Sequence, residues 1–364
     1  MPKAWKIIIA VYLGLTVIFY SYYFFFKETK LDTVYKNWDG PSYVITAISL
    51  YNPQIAYDNN FIQSTDIKPT WTWLPAHFPL YPWLIRASSA IGYFPAMLLI
   101  SQIFSLATFI AFYEFVRRIK LTNSPLPLTL LMMLLPPRWF IVSHIGASEP
   151  IFLFFMLLML LFWHQKKHLT AAIFGAVAQL ARPQGILLFA AVGLFALYEM
   201  IVKKMNIYTQ LKTYLPYFLI PASLLGVFVY FYFRTGDFFA FFSAISIFKH
   251  TQILPFTVFT YPAPNVETYW QEINAVNYVV YLASIFVLFR RRLFRLGILG
   301  LIFFLPLPFL RHSDISRYAL PLMPLAFIAF EDLLSRREFV LAAYFMSPAI
   351  MAYAVNFMTF NRTI

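Results

Sequence analysis

The chain has 364 residues, of which 61% are hydrophobic, 20% aromatic and only 12% charged, and its mean hydropathy is +0.68. About a quarter of the residues in a soluble domain are charged, so this composition excludes an ordinary water-soluble fold and indicates an integral membrane protein. The net charge of +13 comes from short basic clusters between apolar runs. Such clusters are typical of signals that orient a protein in a membrane rather than of nucleic-acid binding. The absence of cysteine excludes disulfides and thiolate metal sites.

The apolar runs predict an all-α polytopic protein with about eleven transmembrane helices, which form one membrane domain over residues 1–364. The first run is too long for a cleaved signal peptide, so we expect it to be retained as a span. The windows are 7–26, 94–116, 125–143, 150–165, 169–181, 185–202, 213–233, 275–289, 296–310, 318–333 and 339–358.

Basic clusters predict the orientation of these spans. An even number of windows separates each cluster from the next, so the positive-inside rule places all of them in the cytoplasm. The amino terminus is therefore predicted to be cytoplasmic and the carboxyl terminus extracytoplasmic. The clusters are Lys3/Lys6, Arg117/Arg118/Lys120, Lys166/Lys167, Lys203/Lys204, Arg290–Arg292 with Arg295, and Arg336/Arg337.

Two long loops are predicted on the extracytoplasmic side, over residues 27–93 and 234–274. In the first loop, Tyr43–Tyr51 has an apolar helical face, and Trp83–Ile91 has the aromatic character of an interfacial helix. In the second loop, Phe238–Phe248 predicts another interfacial helix.

Chain length limits how deeply three charged turns can lie. Only about 35 residues separate Lys167 from Lys203, whereas two full crossings need roughly forty. These helices must be short, or the turn Arg182-Pro183-Gln184-Gly185 must lie below the outer surface. The segments Arg138–Glu149 and Arg311–Arg317 are similarly compressed. Irregular backbone at such depth is tolerated where it lines a cavity, so the three turns predict one polar cavity that opens outward.

Asp39 is the leading candidate for a catalytic base. It stands between Trp38 and Gly40, immediately before the predicted Tyr43–Tyr51 helix. A carboxylate at that position would activate an acceptor hydroxyl or would cap the helix, and the spacing alone favours neither role.

Four arginines are candidates for binding an anionic group such as a phosphate, because a guanidinium stays charged and forms bidentate hydrogen bonds. Arg182 is the strongest candidate, since charge at membrane depth indicates function. The side chains of Arg311 and Arg317 would alternatively extend to the lipid headgroups of the outer leaflet. The four are Arg138, Arg182, Arg311 and Arg317.

Glu149 begins a span, where it would cap the helix, bind a sugar hydroxyl or pair with an arginine. We expect no cofactor, and a divalent metal is the less favoured alternative, because no HExxH motif or close histidine pair exists. The absence of a P-loop or dinucleotide fingerprint argues against a soluble nucleotide donor. The candidate metal ligands are His77, His144, His250, His312, Asp39, Glu149 and Asp314.

Five short motifs occur in an order that resembles a known family. They are Trp38-Asp39, Phe78-Pro79-Leu80-Tyr81-Pro82, Ser148-Glu149-Pro150-Ile151-Phe152, Ala181-Arg182-Pro183-Gln184-Gly185 and Arg317-Tyr318-Ala319-Leu320-Pro321. Together they resemble the PIG-V family, the second mannosyltransferase of GPI-anchor assembly, and its prokaryotic relatives within the GT-C superfamily of polytopic glycosyltransferases. The resemblance extends from about residue 38 to residue 321.

The resemblance implies an inverting glycosyltransferase that moves a hexose, mannose first of all, from a polyprenyl or dolichyl phosphate to a lipid, glycan or protein. Asp39 would be the base, and Arg182 and Arg317 would lie near the donor phosphate on the extracytoplasmic side. The implied substrate pocket contains Trp38, His77, Tyr81, Glu149, Gln184 and Tyr318.

One departure from the family concerns the sequence after Arg182, where Pro183-Gln184-Gly185 replaces a Ser-Asn-Gly-like segment. The short cytoplasmic loops are typical of a bacterial or archaeal member, located in the plasma membrane; a eukaryotic member would lie in the endoplasmic reticulum membrane.

Three other functions fit a polytopic chain with a basic cavity. A transporter or flippase of lipid-linked sugars would place ionisable residues near the bilayer midplane, often in repeated halves, and no repeat is visible. A protein O-mannosyltransferase or an aminoarabinose-type transferase that modifies lipid A would share the loop aspartate and the lipid-phosphate donor. A non-enzymatic assembly subunit would not need arginines in recessed turns.

Overall fold

The computed structural model describes residues 1–26, 31–52, 54–55, 71–248, 251–260, 268–312 and 314–360. The described residues are helical and contain no β-strand. The α-helices are Lys3–Phe26, Asp32–Tyr35, Gly40–Ser49, Leu80–Ala87, Tyr93–Arg118, Pro125–Met132, Pro137–Val142, Glu149–His164, His168–Ala181, Ile186–Val202, Ile207–Tyr214, Leu219–Thr235, Ala240–Phe248, Thr257–Thr260, Thr268–Arg290, Phe294–Phe304, Ile315–Tyr318, Met323–Ala329, Glu331–Leu334, Arg337–Phe345 and Ser347–Phe360. Short 3-10 turns are Trp71–Ala76, Ser89–Ile91, Pro183–Gly185, Leu215–Phe218, Leu307–Phe309 and Leu320–Leu322.

The length and composition of the helices confirm an integral membrane protein. In the described part of the chain, 5 helices are long and apolar enough to cross a bilayer, and a pair bent by 45° would make a sixth. The long helices are Lys3–Phe25, Tyr93–Arg118, Pro183–Val202, Ile207–Thr235 and Gln271–Arg290, and the bent pair is Arg337–Phe345 with Ser347–Thr359. Four other predicted windows contain shorter apolar helices, and the window 125–143 is divided between two short helices. Eleven complete crossings stay a prediction.

The helices predicted in the two long loops are present with shifted ends. The first loop forms Gly40–Ser49 and Leu80–Ala87, and the second forms Ala240–Phe248. Most of the polar segment between the first two helices lies outside the described residues. Their location at the membrane interface stays a prediction.

The centre of the molecule is built around the Glu149–His164 helix, which packs against His168–Ala181 on one side and Tyr93–Arg118 on another. A hydrogen bond links the start of this helix to the Tyr93–Arg118 helix. The hydroxyl of Thr108 donates to the carbonyl of Pro150 at 2.9 Å. This packing fixes the amino-terminal end of the Glu149–His164 helix.

The Gly40–Ser49 helix, which follows Asp39, is held at its carboxyl-terminal end by two arginines. The last carbonyls of a helix have no partner within it, and a cation nearby also complements the helix dipole. Arg86 and Arg234 donate at 2.6–3.2 Å to the carbonyls of Ala47, Ile48, Ser49 and Leu50. Because these arginines come from two other segments, the helix has a fixed position in the fold.

The last helix contacts the region around Asp39. The side-chain amide of Asn37 donates to the carbonyl of Met358 at 2.9 Å. The ring of Phe357 lies 5.2 Å from that of Trp38, measured between centroids. The carboxyl-terminal part of the chain therefore forms one side of the Asp39 region.

The turn at Arg182 joins a short helix to a helix that, with the turn, is long enough to cross a bilayer, so the predicted shortening applies to the first helix. His168–Ala181 has 14 residues, Ile186–Val202 has 17, and Arg182 with the 3-10 turn Pro183–Gly185 connects them. A Cβ at Gly185 would lie 2.4 Å from the Cα of Gln179, which is closer than folded proteins allow. Glycine is therefore required where this turn folds back on the preceding helix.

Replacing Gly185 with alanine is expected to destabilise the protein by about 1–3 kcal/mol, because the new methyl group meets backbone rather than a flexible side chain. The matched control is Gly193→Ala in the following helix, where nothing lies within 4 Å of the added Cβ and alanine favours the helix. Thermal unfolding in detergent, followed by tryptophan fluorescence, measures both variants. Equal midpoints for the two would contradict the close packing of this turn.

Candidate active site

Asp39 directs its carboxylate toward Arg317 rather than toward the helix that it precedes. Its backbone occupies the N-cap position of Gly40–Ser49, but its side chain makes no capping hydrogen bond. Instead, Asp39 Oδ2 lies 2.8 Å from Arg317 Nη1, and 40% of the Asp39 side chain is exposed. The simple helix-cap interpretation is therefore wrong for the side chain. A partly exposed carboxylate remains available to a second molecule.

The backbone around Asp39 is tightly constrained. Trp38 has a φ of +46°, in the left-handed region that large side chains rarely adopt. A Cβ at Gly40 would lie 2.6 Å from the carbonyl oxygen of Tyr35. The Trp38-Asp39-Gly40 segment thus holds a conformation that places the carboxylate away from the helix end.

Glu149 is the centre of an ion-pair network that includes two of the predicted arginines. Its Oε1 atom lies 2.6 Å from Arg182 Nη1 and also accepts a hydrogen bond from Arg317 Nε. Only 3% of the Glu149 side chain is exposed, compared with 13% for Arg182 and 12% for Arg317. Arg317 bridges Glu149 and Asp39, so one continuous network runs from Arg182 to Asp39. Of the alternatives for Glu149, arginine pairing is the one that the structure shows.

The network joins the three turns that the sequence predicts to converge. Arg182 follows the His168–Ala181 helix, and Arg317 lies in the short helix Ile315–Tyr318. Glu149 is the first residue of the buried helix Glu149–His164. Their contacts confirm the convergence, whereas the depth of the turns in the membrane and the side on which they open stay predictions.

Trp38 lies between two guanidinium groups. The Cζ atom of Arg317 is 4.7 Å from the centroid of the Trp38 ring, and that of Arg138 is 4.5 Å away. Arg138 also lies 4.0 Å from the centroid of the Phe357 ring. Cations over aromatic faces are attracted by the ring quadrupole, most strongly to tryptophan. The Trp38 ring therefore fixes the relative positions of Arg138 and Arg317.

Arg138 is buried and pairs with Asp314. The Arg138 Nη2 atom lies 2.7 Å from Asp314 Oδ1, and the two side chains are 5% and 8% exposed. Asp314 also caps the helix that carries Arg317, because its side chain accepts from the Arg317 backbone N–H. Sequence reasoning treated Asp314 only as a candidate metal ligand. An aspartate three residues before the residue whose backbone N–H it binds is the usual arrangement of a helix N-cap, so the spacing to Arg317 could have indicated this role.

His77 and Tyr81, both expected in the pocket, lie on the other side of Asp39 with Tyr43 between them. His77 Nε2 is 3.9 Å from Asp39 Oδ1, and the Tyr43 ring centroid is 4.8 Å from that of His77 and 4.7 Å from that of Tyr81. Tyr43 also shares a 2.7 Å hydrogen bond with Ser148, the neighbour of Glu149. Sequence reasoning missed Tyr43 as a site residue, although it recognised the apolar face of the Tyr43–Tyr51 segment.

The remaining candidates lie near the network. Gln184 is half-buried in the turn after Arg182, and Arg311 is half-buried in the segment before Arg317. The Tyr318 ring lies 5.1 Å from the ring of His312. Among the residues that the structure describes, no group of three or more histidine, aspartate or glutamate side chains could hold a metal ion, and His250 lies outside them.

The charges of the site determine the protonation state of Asp39. Partial burial acts to raise the pKa of this carboxyl, but the Arg317 guanidinium and His77 outweigh it and hold the pKa well below its usual range. Asp39 is therefore ionised at neutral pH. The described network contains three carboxylates (Asp39, Glu149 and Asp314) and three guanidiniums (Arg138, Arg182 and Arg317), so it is formally neutral.

Comparison with known proteins identifies the fold. No protein-family model matches the chain, and no curated protein matches it. Among solved structures, ArnT from Cupriavidus metallidurans bound to undecaprenyl phosphate is similar with a TM-score of 0.62 and 15% identity, over 97% of this chain and 64% of ArnT. Apo ArnT is similar with a TM-score of 0.56 and 15% identity, over 89% of this chain and 59% of ArnT.

These similarities show that the chain has the membrane fold of ArnT, in agreement with the fold class expected from the sequence. The chain spans less than two thirds of the length of ArnT. At this level of identity the likeness defines the fold, and the chemistry must be argued from the site itself.

The Arg138–Asp314 pair is expected to be important for stability. Replacing Asp314 with alanine leaves a buried guanidinium without its carboxylate, which should lower the free energy of unfolding by about 3–5 kcal/mol. Replacing Arg138 with methionine in the same chain should restore part of the loss. Unfolding of the purified protein in mixed micelles measures the coupling between the two changes.

The control for this prediction is the exposed pair of Lys36 and Asp32, which lie 3.4 Å apart with both side chains 44% exposed. Asp32→Ala should change stability by less than about 1 kcal/mol, because surface ion pairs contribute little. A loss for Asp314→Ala as small as that of the control would show that the buried pair is unimportant.

Proposed function

We propose that this chain is an inverting glycosyltransferase that transfers a hexose from a polyprenyl or dolichyl phosphate to a hydroxyl of a lipid, glycan or protein. The observation that carries the proposal is the network in which a partly exposed carboxylate, Asp39, pairs with Arg317, and Arg317 shares Glu149 with Arg182. This arrangement lies within a membrane fold similar to that of ArnT, which has been solved with undecaprenyl phosphate bound.

In the proposed reaction Asp39 is the general base. Its carboxylate is ionised and accessible, so it can accept the proton of an acceptor hydroxyl as that oxygen attacks the anomeric carbon. The bond between the sugar and the phosphate oxygen breaks, and its electron pair stays on the phosphate. A single displacement of this kind inverts the anomeric centre.

Arg182 and Arg317 are the proposed phosphate ligands. Guanidiniums stabilise the charge that develops on the leaving phosphate, and such stabilisation is strongest in a site that excludes water. A phosphate is already a good leaving group, so the reaction needs no protein acid. Arg138 is less suited to this role, because it is buried and paired with Asp314.

The finer assignments follow from the motif resemblance. We infer a PIG-V-like member that uses mannose, with Trp38, His77, Tyr81, Glu149, Gln184 and Tyr318 around the substrates. We place the site on the extracytoplasmic side and the amino terminus in the cytoplasm, since that orientation agrees with the basic clusters. For a prokaryotic member the membrane is the plasma membrane.

The first test is sugar transfer from radiolabelled polyprenyl-phosphate mannose into membrane lipids and glycans. Asp39→Asn preserves the shape of the side chain but cannot accept the proton, so transfer should fall by about 10²–10⁴-fold at equal expression. Asp32→Asn, at an exposed site in the same loop, is the control and should keep wild-type activity. Equal transfer by wild type and Asp39→Asn would place the base elsewhere.

The pH dependence of transfer tests the pairing of Asp39 with Arg317. A base acts when it is deprotonated, and the lowered pKa of Asp39 keeps it deprotonated to unusually low pH. The acid limb of kcat/KM for the donor, which reports the free enzyme, should therefore lie below about pH 4. Arg317→Gln should move this limb to higher pH.

The matched control for the pH profile is Arg182→Gln, because Arg182 contacts Glu149 and not Asp39. This variant should lose donor affinity while its acid limb stays in place. A wild-type acid limb near neutral pH would contradict the assignment of Asp39 as the base.

A further inference from the structure

Glu149 is paired with the same two arginines to which we assign the donor phosphate. Its Oε1 atom contacts Arg182 and Arg317, and its side chain is 3% exposed. In the described part of the chain, the buried Oε2 atom has no hydrogen-bond partner. The carboxylate thus neutralises two close guanidiniums while it uses only one of its oxygens.

A phosphate that enters this site meets the Glu149 carboxylate as a charge of the same sign. Both anions are attracted to the same two guanidiniums, and like charges at a few ångströms repel more strongly in a protein interior than in water. The donor is a phosphodiester with one negative charge, whereas the product, lipid monophosphate, carries a charge of about −1.5 to −2 at neutral pH. The arginines would therefore hold the product more tightly than the donor, which makes product release a problem for the enzyme.

We propose that Glu149 is an internal counter-anion that competes with the lipid phosphate for Arg182 and Arg317 and thereby speeds release of the product. This inference rests on the proposed function. Glu149 is a positioning residue in this role, because it acts through the two arginines. It returns to both guanidiniums as the phosphate leaves, and the neutral network of the empty site is restored.

The test is the binding of radiolabelled farnesyl phosphate, a short polyprenyl monophosphate, to the purified full-length protein in detergent. Glu149→Gln removes the competing charge and keeps the shape, so binding should become about tenfold tighter or more. Arg182→Gln should bind about tenfold more weakly. In transfer assays Glu149→Gln should lower both the donor KM and kcat, because slow release of the product then limits turnover. The first turnover should appear as a rapid burst of product before the slower steady state.

A residue that only supports the arginines would have the opposite effect, because its loss would disorder them and weaken phosphate binding. Weaker or unchanged binding by Glu149→Gln, with normal binding by wild type, would overturn the inference and leave the proposed function intact. Failure of both wild type and Glu149→Gln to bind farnesyl phosphate would overturn the proposed function and the inference together.

Two controls make the result specific. Farnesol has the chain without the phosphate and should bind equally to wild type and Glu149→Gln; a parallel gain for farnesol would contradict a charge effect. Glu199→Gln removes a carboxylate that pairs with Lys203 at 2.9 Å, outside the network, and should leave farnesyl phosphate binding unchanged. A similar gain in that variant would show that the effect is not specific to Glu149.

If Glu149→Gln does not fold, Glu149→Asp decides the question. Aspartate keeps the negative charge but withdraws it from the arginines by one methylene group, so farnesyl phosphate should bind severalfold more tightly than to wild type. Weaker binding by Glu149→Asp would overturn the inference.

Discussion

The buried carboxylate of Glu149 imposes the main constraint on this structure. A carboxylate that is 3% exposed is stable in a membrane domain only when cations compensate its charge, and both of its arginine partners come from other segments. The turn at Arg182 and the short helix at Arg317 must therefore meet at the start of one central helix. Once Arg317 is fixed in this way, its remaining N–H groups determine where Asp39 can lie.

The aromatic and ionic contacts around Trp38 extend this constraint. Asp314 fixes Arg138, Arg138 stacks on Trp38, and Trp38 stacks on Arg317. Lysine could not replace either arginine, because the arrangement depends on planar groups that pair with a carboxylate and lie over a ring at the same time. Asp314 and Arg138 thus help to determine where Trp38 and Arg317 lie.

The sequence was sufficient for the helical membrane class and for part of the site. Apolar runs predicted the helices, and counting residues between Lys167 and Lys203 predicted the short helix before Arg182, whereas the orientation predicted from the basic clusters stays a prediction. The role of Asp39 could not be decided, because a carboxylate before a helix has the same local sequence whether it caps or pairs at a distance. Arg138 was grouped with the phosphate ligands because its local sequence does not show its partners. Its pairing with Asp314 and its stacking on Trp38 depend on how distant helices are rotated against one another, and a local pattern contains no information on that rotation.

The network also has a consequence for synthesis, because a chain is made from its amino terminus onward. Arg317 follows Glu149 by 168 residues, and Phe357, which packs on Trp38 and Arg138, lies in the last helix. A nascent chain that already contains Asp39 and Glu149 has neither Arg317 nor this aromatic contact. The complete network therefore forms only after the helix that carries Phe357 has been inserted.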